Sequence, residues 1–277
     1  MTYCQQFTIA DAHYQISTSS PSIARHLSHI FSGFLSTLSG ASVTTSFVID
    51  QNADQTISVR PRVDFPPKVT SVDEFVSLFE WHLVREAFDQ MPYIGIHSGG
   101  VICHGKTILF PGQSGYGKST LTLGCVLKGS AFLSDEMAFV EPGTSHAFSF
   151  PRVLCIKNDA QIFQALDVRR VLQQPDIIRP LNNSLCVSPR SFECVPQHQP
   201  CPVDAIVFPH FQPDQKTSLL PISPRDSLTE LIGLSYKRTQ SPRILDTLGQ
   251  LVENAPSYKL TMNHLPDAVQ EVENLAI

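Results

Sequence analysis

The chain has 277 residues, 42% of them hydrophobic and 16% charged, with a net charge of -5, a pI near 6.0 and a mean hydropathy of -0.01. That composition is too apolar for a disordered chain and long enough for one large domain or two modest ones. The acidic balance gives no general field for nucleic acid or an anionic membrane, so an anionic ligand needs a local site.

The opening residues "MTYCQQFTIADAHYQISTSS" lack the basic and apolar regions of a signal peptide. No run of about 18 apolar residues suggests a membrane span. Seven scattered cysteines without a C-x-x-C pair point to reduced thiols in a cytoplasmic protein, with neither a disulfide framework nor a zinc site.

Residues 1–92 read as a smaller α+β segment. "QQFTIADAHYQIST" and "SVTTSFVID" have the β-branched and aromatic content of strands, and "SPSIARHLSHIFSGFLSTL" reads as a helix after a Ser-Pro start. A stronger helix is predicted in "SVDEFVSLFEWHLVREAFDQ". Ser71 and Glu74 form a capping box there, and Val72, Phe75, Val76, Phe79, Leu83 and Val84 share one face. Trp81 and Phe88 read as further core, and the segment as scaffold or substrate-recognition element.

Residues 93–277 read as the second unit. "YIGIHSGGVICHG" and "KTILFPG" are predicted strands leading into a glycine-rich loop, and "KSTLTLGCVLKG" is a short helix closed by Gly129. "SAFLS", "EMAFVEP" and "HAFSFPRVLCIK" continue as strands. Pro-rich connections follow in "QQPDIIRPLNNS" and "FECVPQHQPCPVD". Beyond them come the strands "AIVFPHF" and "KTSLLPIS", the helices "SPRDSLTELIGLSY" and "PRILDTLGQLVEN", the strand "SYKLTM" and a last helix from about Pro266.

The loop satisfies G-x-x-x-x-G-K-[ST] from Gly112 to Ser119. Gly112, Gly115 and Gly117 let successive N–H groups turn inward, and the helix starting at Lys118 adds its positive dipole end. Phosphate contacts are expected from Gly112, Gln113, Ser114, Gly115, Tyr116, Gly117, Lys118, Ser119 and Thr120. Lys118 reaches for the β and γ phosphates, and Ser119 for magnesium.

Asp135 and Glu136 follow after one short helix and one strand. That is sooner than the second acidic motif of large ATPases, and it predicts loop and acidic pair at adjacent strand ends. In phosphoryl transfer to a hydroxyl, one carboxylate can take the proton while its neighbour holds the metal. There is no N-K-x-D for guanine, no transporter-type signature after the loop and no adenylate-kinase-like lid.

His97, "GQSGYGKST" and "FLSDE" in that order resemble the HPr kinase/phosphorylase superfamily, in particular its divergent relatives that include the lasso-peptide kinases. The later stretches "FPRVLCIK", "DAIVFPHF", "PISPRDSLTELI" and "ILDTLGQLVENAPSYKL" extend the resemblance over about residues 93–261.

It implies an α/β fold: an HPr kinase/phosphoenolpyruvate-carboxykinase-like P-loop domain with the smaller N-terminal segment attached. It also implies ATP and Mg2+ as cofactors. Asp135 becomes the general base, Ser119 and Glu136 the magnesium ligands, Lys118 the phosphate grip and His97 a neighbour tuning the acidic residue. Arg152 and Arg243 become candidate phosphate or substrate contacts. Thr120 stands where the family carries glutamate, and no E-x-R-G segment is present, which argues against HPr as substrate and against phosphorolysis.

The expected activity is γ-phosphate transfer to a hydroxyl, foremost a serine of a peptide or protein. A small-molecule kinase acting on free serine or another hydroxyl metabolite, and a non-catalytic nucleotide-binding regulatory module, are the alternatives. A homo-oligomer fits the family. Neither nucleic acid nor membrane is an expected partner.

Overall fold

The opening residues reverse direction within the stretch read as one strand. β1 (Tyr3–Ile9) and β2 (Ala12–Thr18) pair antiparallel from Tyr3 opposite Thr18 to Ile9 opposite Ala12. This computed structural model describes residues 2–9, 12–35, 43–52, 54, 56–61, 63, 69, 71–157, 178–181, 184–236 and 243–277. β3 (Thr45–Gln51) runs parallel to β2, and β4 (Ile57–Arg60), not expected from its short sequence, closes a sheet of order β1-β2-β3-β4.

α1 (Pro21–Ile30) starts where Ser20 accepts a hydrogen bond from the Ile23 N–H, with proline in the first turn, whose missing donor costs nothing there. The chain then tightens into a 3-10 turn at Ser32–Phe34. A Cβ on Gly33 would fall 1.9 Å from the Pro151 carbonyl oxygen, so only glycine allows this approach between the two halves. α2 (Val72–Gln90) is capped by Ser71 as expected. Phe75, Val76, Phe79, Leu83 and Val84 are buried.

The second sheet uses β5 (Ile94–Ile96), β6 (Ser98–Cys103), β7 (Lys106–Pro111), β8 (Ala131–Ser134), β9 (Ala138–Val140) and β10 (His146–Phe148). β11 (Leu154–Lys157), β12 (Ile178–Leu181) and β13 (Ser184–Val187) form a separate small sheet. β14 (Cys201–Phe211), β15 (Ser218–Ile222) and β16 (Ser257–Met262) complete the large one, ordered β5-β9-β10-β14-β7-β6-β8 with β16 joining β14 to β15. β14 runs parallel to both β7 and β16.

α3 (Lys118–Leu127) and α6 (Leu265–Ala276) pack in one apolar cluster against the sheet. α4 (Pro224–Leu234) and α5 (Ile244–Asn254) belong to another. A third cluster joins β1–β3, α1 and α2 to Met137, Phe139, Phe150 and Val153, so the N-terminal segment shares its core with the larger sheet.

One expectation is corrected. Cys155 and Cys186 face each other in the β11–β13 register and form a disulfide, so the thiols are not all reduced. Antiparallel pairing of two distant strands creates this contact, and spacing along the chain carries no sign of it. Among the described residues no helix is long and apolar enough to cross a membrane.

Candidate functional site

β7 delivers the chain to Pro111, and α3 begins at Lys118, so residues 112–117 bridge a strand end to a helix start. Gly115 and Gly117 sit at φ +88° and +94°, and a Cβ on Gly117 would lie 2.4 Å from Met262 Cε. No side chain caps α3. Its first N–H groups, with the positive helix end, are therefore left for an anion. Lys118 is buried, and its ammonium donates to the Gln113 carbonyl at 3.1 Å. Burial lowers its pKa, while Asp135 and Glu136 pull the other way.

The strand leading into the loop and the strand leading into the acidic pair are not neighbours, contrary to the sequence expectation. β6 lies between β7 and β8 and runs antiparallel to both. Since β7 and β8 therefore point the same way, both deliver their ends to the edge where β6 begins. His97 occupies that point. Its carbonyl accepts from the Gly112 N–H at 3.2 Å, and the next N–H, of Ser98, donates to the Glu136 carbonyl at 3.3 Å. Backbone bonds thus tie loop, histidine and acidic pair into one edge.

The two carboxylates differ sharply in environment. Asp135 is 1% exposed. Its Oδ2 accepts from the Cys155 N–H at 3.3 Å, while Oδ1 is buried without a hydrogen-bond partner. Burial, and then Glu136, push its carboxyl up to about 6; Ser119, Arg152 and Lys118 lie close enough to oppose that. The Glu136 side chain is 37% exposed, with Oε1 3.5 Å from His97 Nε2. The structure therefore places His97 against Glu136 as its carboxylate contact. Burial and Lys118 lower the His97 pKa more than Glu136 raises it, which favours a neutral ring.

Arg152 stands beside the pair, held by Glu80 of α2 through bonds of 2.6 and 2.9 Å. Glu80 is buried. This anchor was missed in the sequence, although a carboxylate next to the apolar positions 79, 83 and 84 was a signal. Tyr236 was also missed. Its ring lies 6.2 Å from that of His97 and 6.5 Å from Trp81, and burial raises its hydroxyl to about 12.

Trp81 corrects another expectation: it is 48% exposed rather than core. Its helical position lies toward the Tyr236 side, away from the stripe that covers β3.

The remaining predicted residues divide. Gln113 and Ser114 are exposed on the loop, and Ser119 and Thr120 are half-buried in the first turn of α3. The Tyr116 ring stacks on His210 at 4.6 Å and 9°. Both line a cavity of about 410 Å³ with Gly112, Gln113, Asp226 and Lys259. Arg243 is exposed and lines a different cavity, of about 460 Å³, with Phe88, Tyr93 and Glu141.

Among the described residues no three His, Cys, Asp or Glu side chains are grouped to hold a metal by themselves. Magnesium does not require such a cage, because it is usually bound through one or two carboxylates and substrate phosphates. Ser119, the acidic pair and the unpartnered Asp135 Oδ1 fit that pattern.

No protein-family model matches the chain, and no curated protein matches it by sequence. Solved structures similar to it include the HPr(Ser) kinase/phosphatase from Coxiella burnetii, at 13% identity over 65% of this chain and 92% of that one, with a TM-score of 0.32. A score that low carries neither fold nor chemistry across, so the site stands on its own residues and register.

Proposed function

We propose that the protein is an ATP- and magnesium-dependent kinase that transfers the γ-phosphate to a hydroxyl, foremost a serine of a peptide or protein. The observation that carries this reading is the shared strand edge. An uncapped helix start and a buried lysine lie beside two carboxylates, with His97 joining them through the backbone.

The loop N–H groups and Lys118 hold the phosphates. The cavity beside Tyr116 and His210 is the place for the nucleoside half. Ser119 and Glu136 would hold magnesium, which supplies charge neutralisation at the phosphate oxygens. Asp135 takes the acceptor's proton as the acceptor oxygen bonds to phosphorus; the bond to the β-phosphate oxygen breaks and ADP leaves. Its burial in the free chain does not exclude this, since catalytic contacts often form only with substrates bound. Arg152 stabilises charge near the pair.

One observation favours a second division of labour. Glu136, not Asp135, is the exposed carboxylate. That would make Glu136 the proton acceptor and put Asp135, against Ser119, on the metal side. Manganese affinity measured in the presence of a non-hydrolysable ATP analogue separates the two. Asp135→Asn should leave it intact if Asp135 is the base, and Glu136→Gln should leave it intact under the alternative.

The kinase reading itself is tested by γ-labelled ATP offered with serine peptides, free serine and other hydroxyl metabolites. Lys118→Ala should weaken ATP binding by roughly 10- to 100-fold, as expected for lost charged hydrogen bonds. Tight ATP binding with no phosphate transferred to any acceptor would instead favour a non-catalytic regulatory module.

A further inference from the structure

Beside the acidic pair, α2 and the larger sheet enclose a small cleft of about 120 Å³. It is lined by Ser77, Glu80, Trp81 and Val84 from α2, and by Glu136, Met137, Phe150 and Arg152 opposite. The four α2 residues follow helical spacing, so one stripe of the N-terminal segment faces Glu136. We infer that this cleft admits the acceptor as a single hydroxyl-bearing side chain of a peptide, whose flanking residues rest on Trp81. The inference rests on the kinase reading and deepens it, by giving the N-terminal segment the acceptor's wall. Since Glu136 and not Asp135 lines the cleft, it goes with the division of labour in which Glu136 accepts the proton.

Three observations carry it. First, the volume falls well short of the roughly 300–1,000 Å³ of sites that enclose whole small ligands. A serine side chain enters; a sugar or nucleoside does not. Second, Arg152, the one cation among the described residues lining the cleft, already gives two hydrogen bonds to Glu80. The carboxylate of a free amino acid therefore lacks an unengaged cation among those residues. A peptide backbone brings no such charge.

Third, Trp81 is a large, half-exposed aromatic side chain at this rim, on a helix where Phe75, Phe79 and Leu83 are buried and Leu78 and Phe88 partly so. Tyr236 continues the aromatic wall from Trp81 to His97. A rigid aromatic platform gives contact area at low entropic cost.

Trp81 is the chain's single tryptophan, so its emission reports on the cleft directly. The 277-residue chain, with Mg2+ and ADP, is titrated with pooled heptapeptides that carry one central serine, and separately with free serine. Phosphate transfer from ATP to the same probes is measured for wild type, Trp81→Phe and Trp81→Ala. Trp81 emission should change with the peptides and not with free serine. Trp81→Ala should raise the peptide KM about tenfold, as for loss of an aromatic anchor, with the KM for ATP and the unfolding midpoint unchanged. Trp81→Phe should retain most of the affinity.

Transfer by wild type with unchanged emission, an equal rise in both KM values, or preference for free serine overturns the cleft assignment and leaves the kinase reading standing. Transfer to neither probe overturns the cleft assignment, and the kinase reading falls too if the hydroxyl metabolites also go unphosphorylated. Should Trp81→Ala fail to fold, the wild-type emission decides.

Discussion

The glycine-rich loop and the α2 wall lie on two sides of one acidic pair, yet they are built by different physics. The loop is local. Glycines at positive φ, a helix start without a side-chain cap and a lysine on the first turn fix its geometry within a few consecutive residues. The α2 wall is tertiary. Glu80 and Trp81 acquire meaning only because the helix packs beside Phe150, Met137 and Arg152. A function written in backbone geometry can be read from a motif, whereas one written in the docking of a helix cannot.

The sharpest way to break this comparison is at the pair itself. Asp135→Asn keeps the size and the hydrogen bond from the Cys155 N–H but removes the proposed proton acceptor. The rate of transfer should fall by about 10²- to 10⁴-fold, with ATP affinity on the loop side nearly unchanged. Rapid-quench measurement of the transfer step against equilibrium ATP binding checks this. An unchanged rate would give the proton to Glu136.

The α2 side should respond in stability first. Glu80→Gln leaves the Arg152 guanidinium without its buried partner, and breaking such a pair from one side costs about 3–5 kcal/mol. Urea unfolding should show that loss. The joint replacement Glu80→Leu with Arg152→Met should recover most of the stability, because paired apolar groups avoid the stranded charge. Its transfer activity should stay low, since the cation beside the pair is gone. Full activity in the double variant would reduce Glu80 and Arg152 to packing.

The same contrast sets what was legible. Most elements around the loop, the α2 cap and its core face agree with their sequence patterns, because capping and helical or alternating periodicity are local. β4 and β13 were not read, and β12 lies in "QQPDIIRPLNNS", which Pro180 and its neighbours made read as a connection. The insertion of β6 between β7 and β8, and the Cys155–Cys186 bond, depend on which strands find each other. Trp81 was placed in the core because a helical stripe tells which face is apolar, not where the facing layer stops.

Burial of Asp135 connects the two sides once more, through pH. Its carboxyl shifts from 3.8 to about 6, and each unit is worth about 1.36 kcal/mol. The folded chain therefore holds a proton that the unfolded chain releases near pH 4. A raised folded-state pKa stabilises fully below the unfolded value, and that contribution is lost as pH rises through about 6. In chelator, without nucleotide, Asp135→Asn should consequently be more stable than wild type by roughly 3 kcal/mol near neutral pH. The difference should shrink toward pH ~4, where the wild-type carboxyl is also neutral. Urea titrations of both proteins across that range read the slope, which is insensitive to any constant cost of the amide. A difference independent of pH would mean that the carboxylate is solvated in the free protein and that the site opens on its own. Steady convergence on acidification would mean that Asp135 stays buried in the free protein, at a cost to stability.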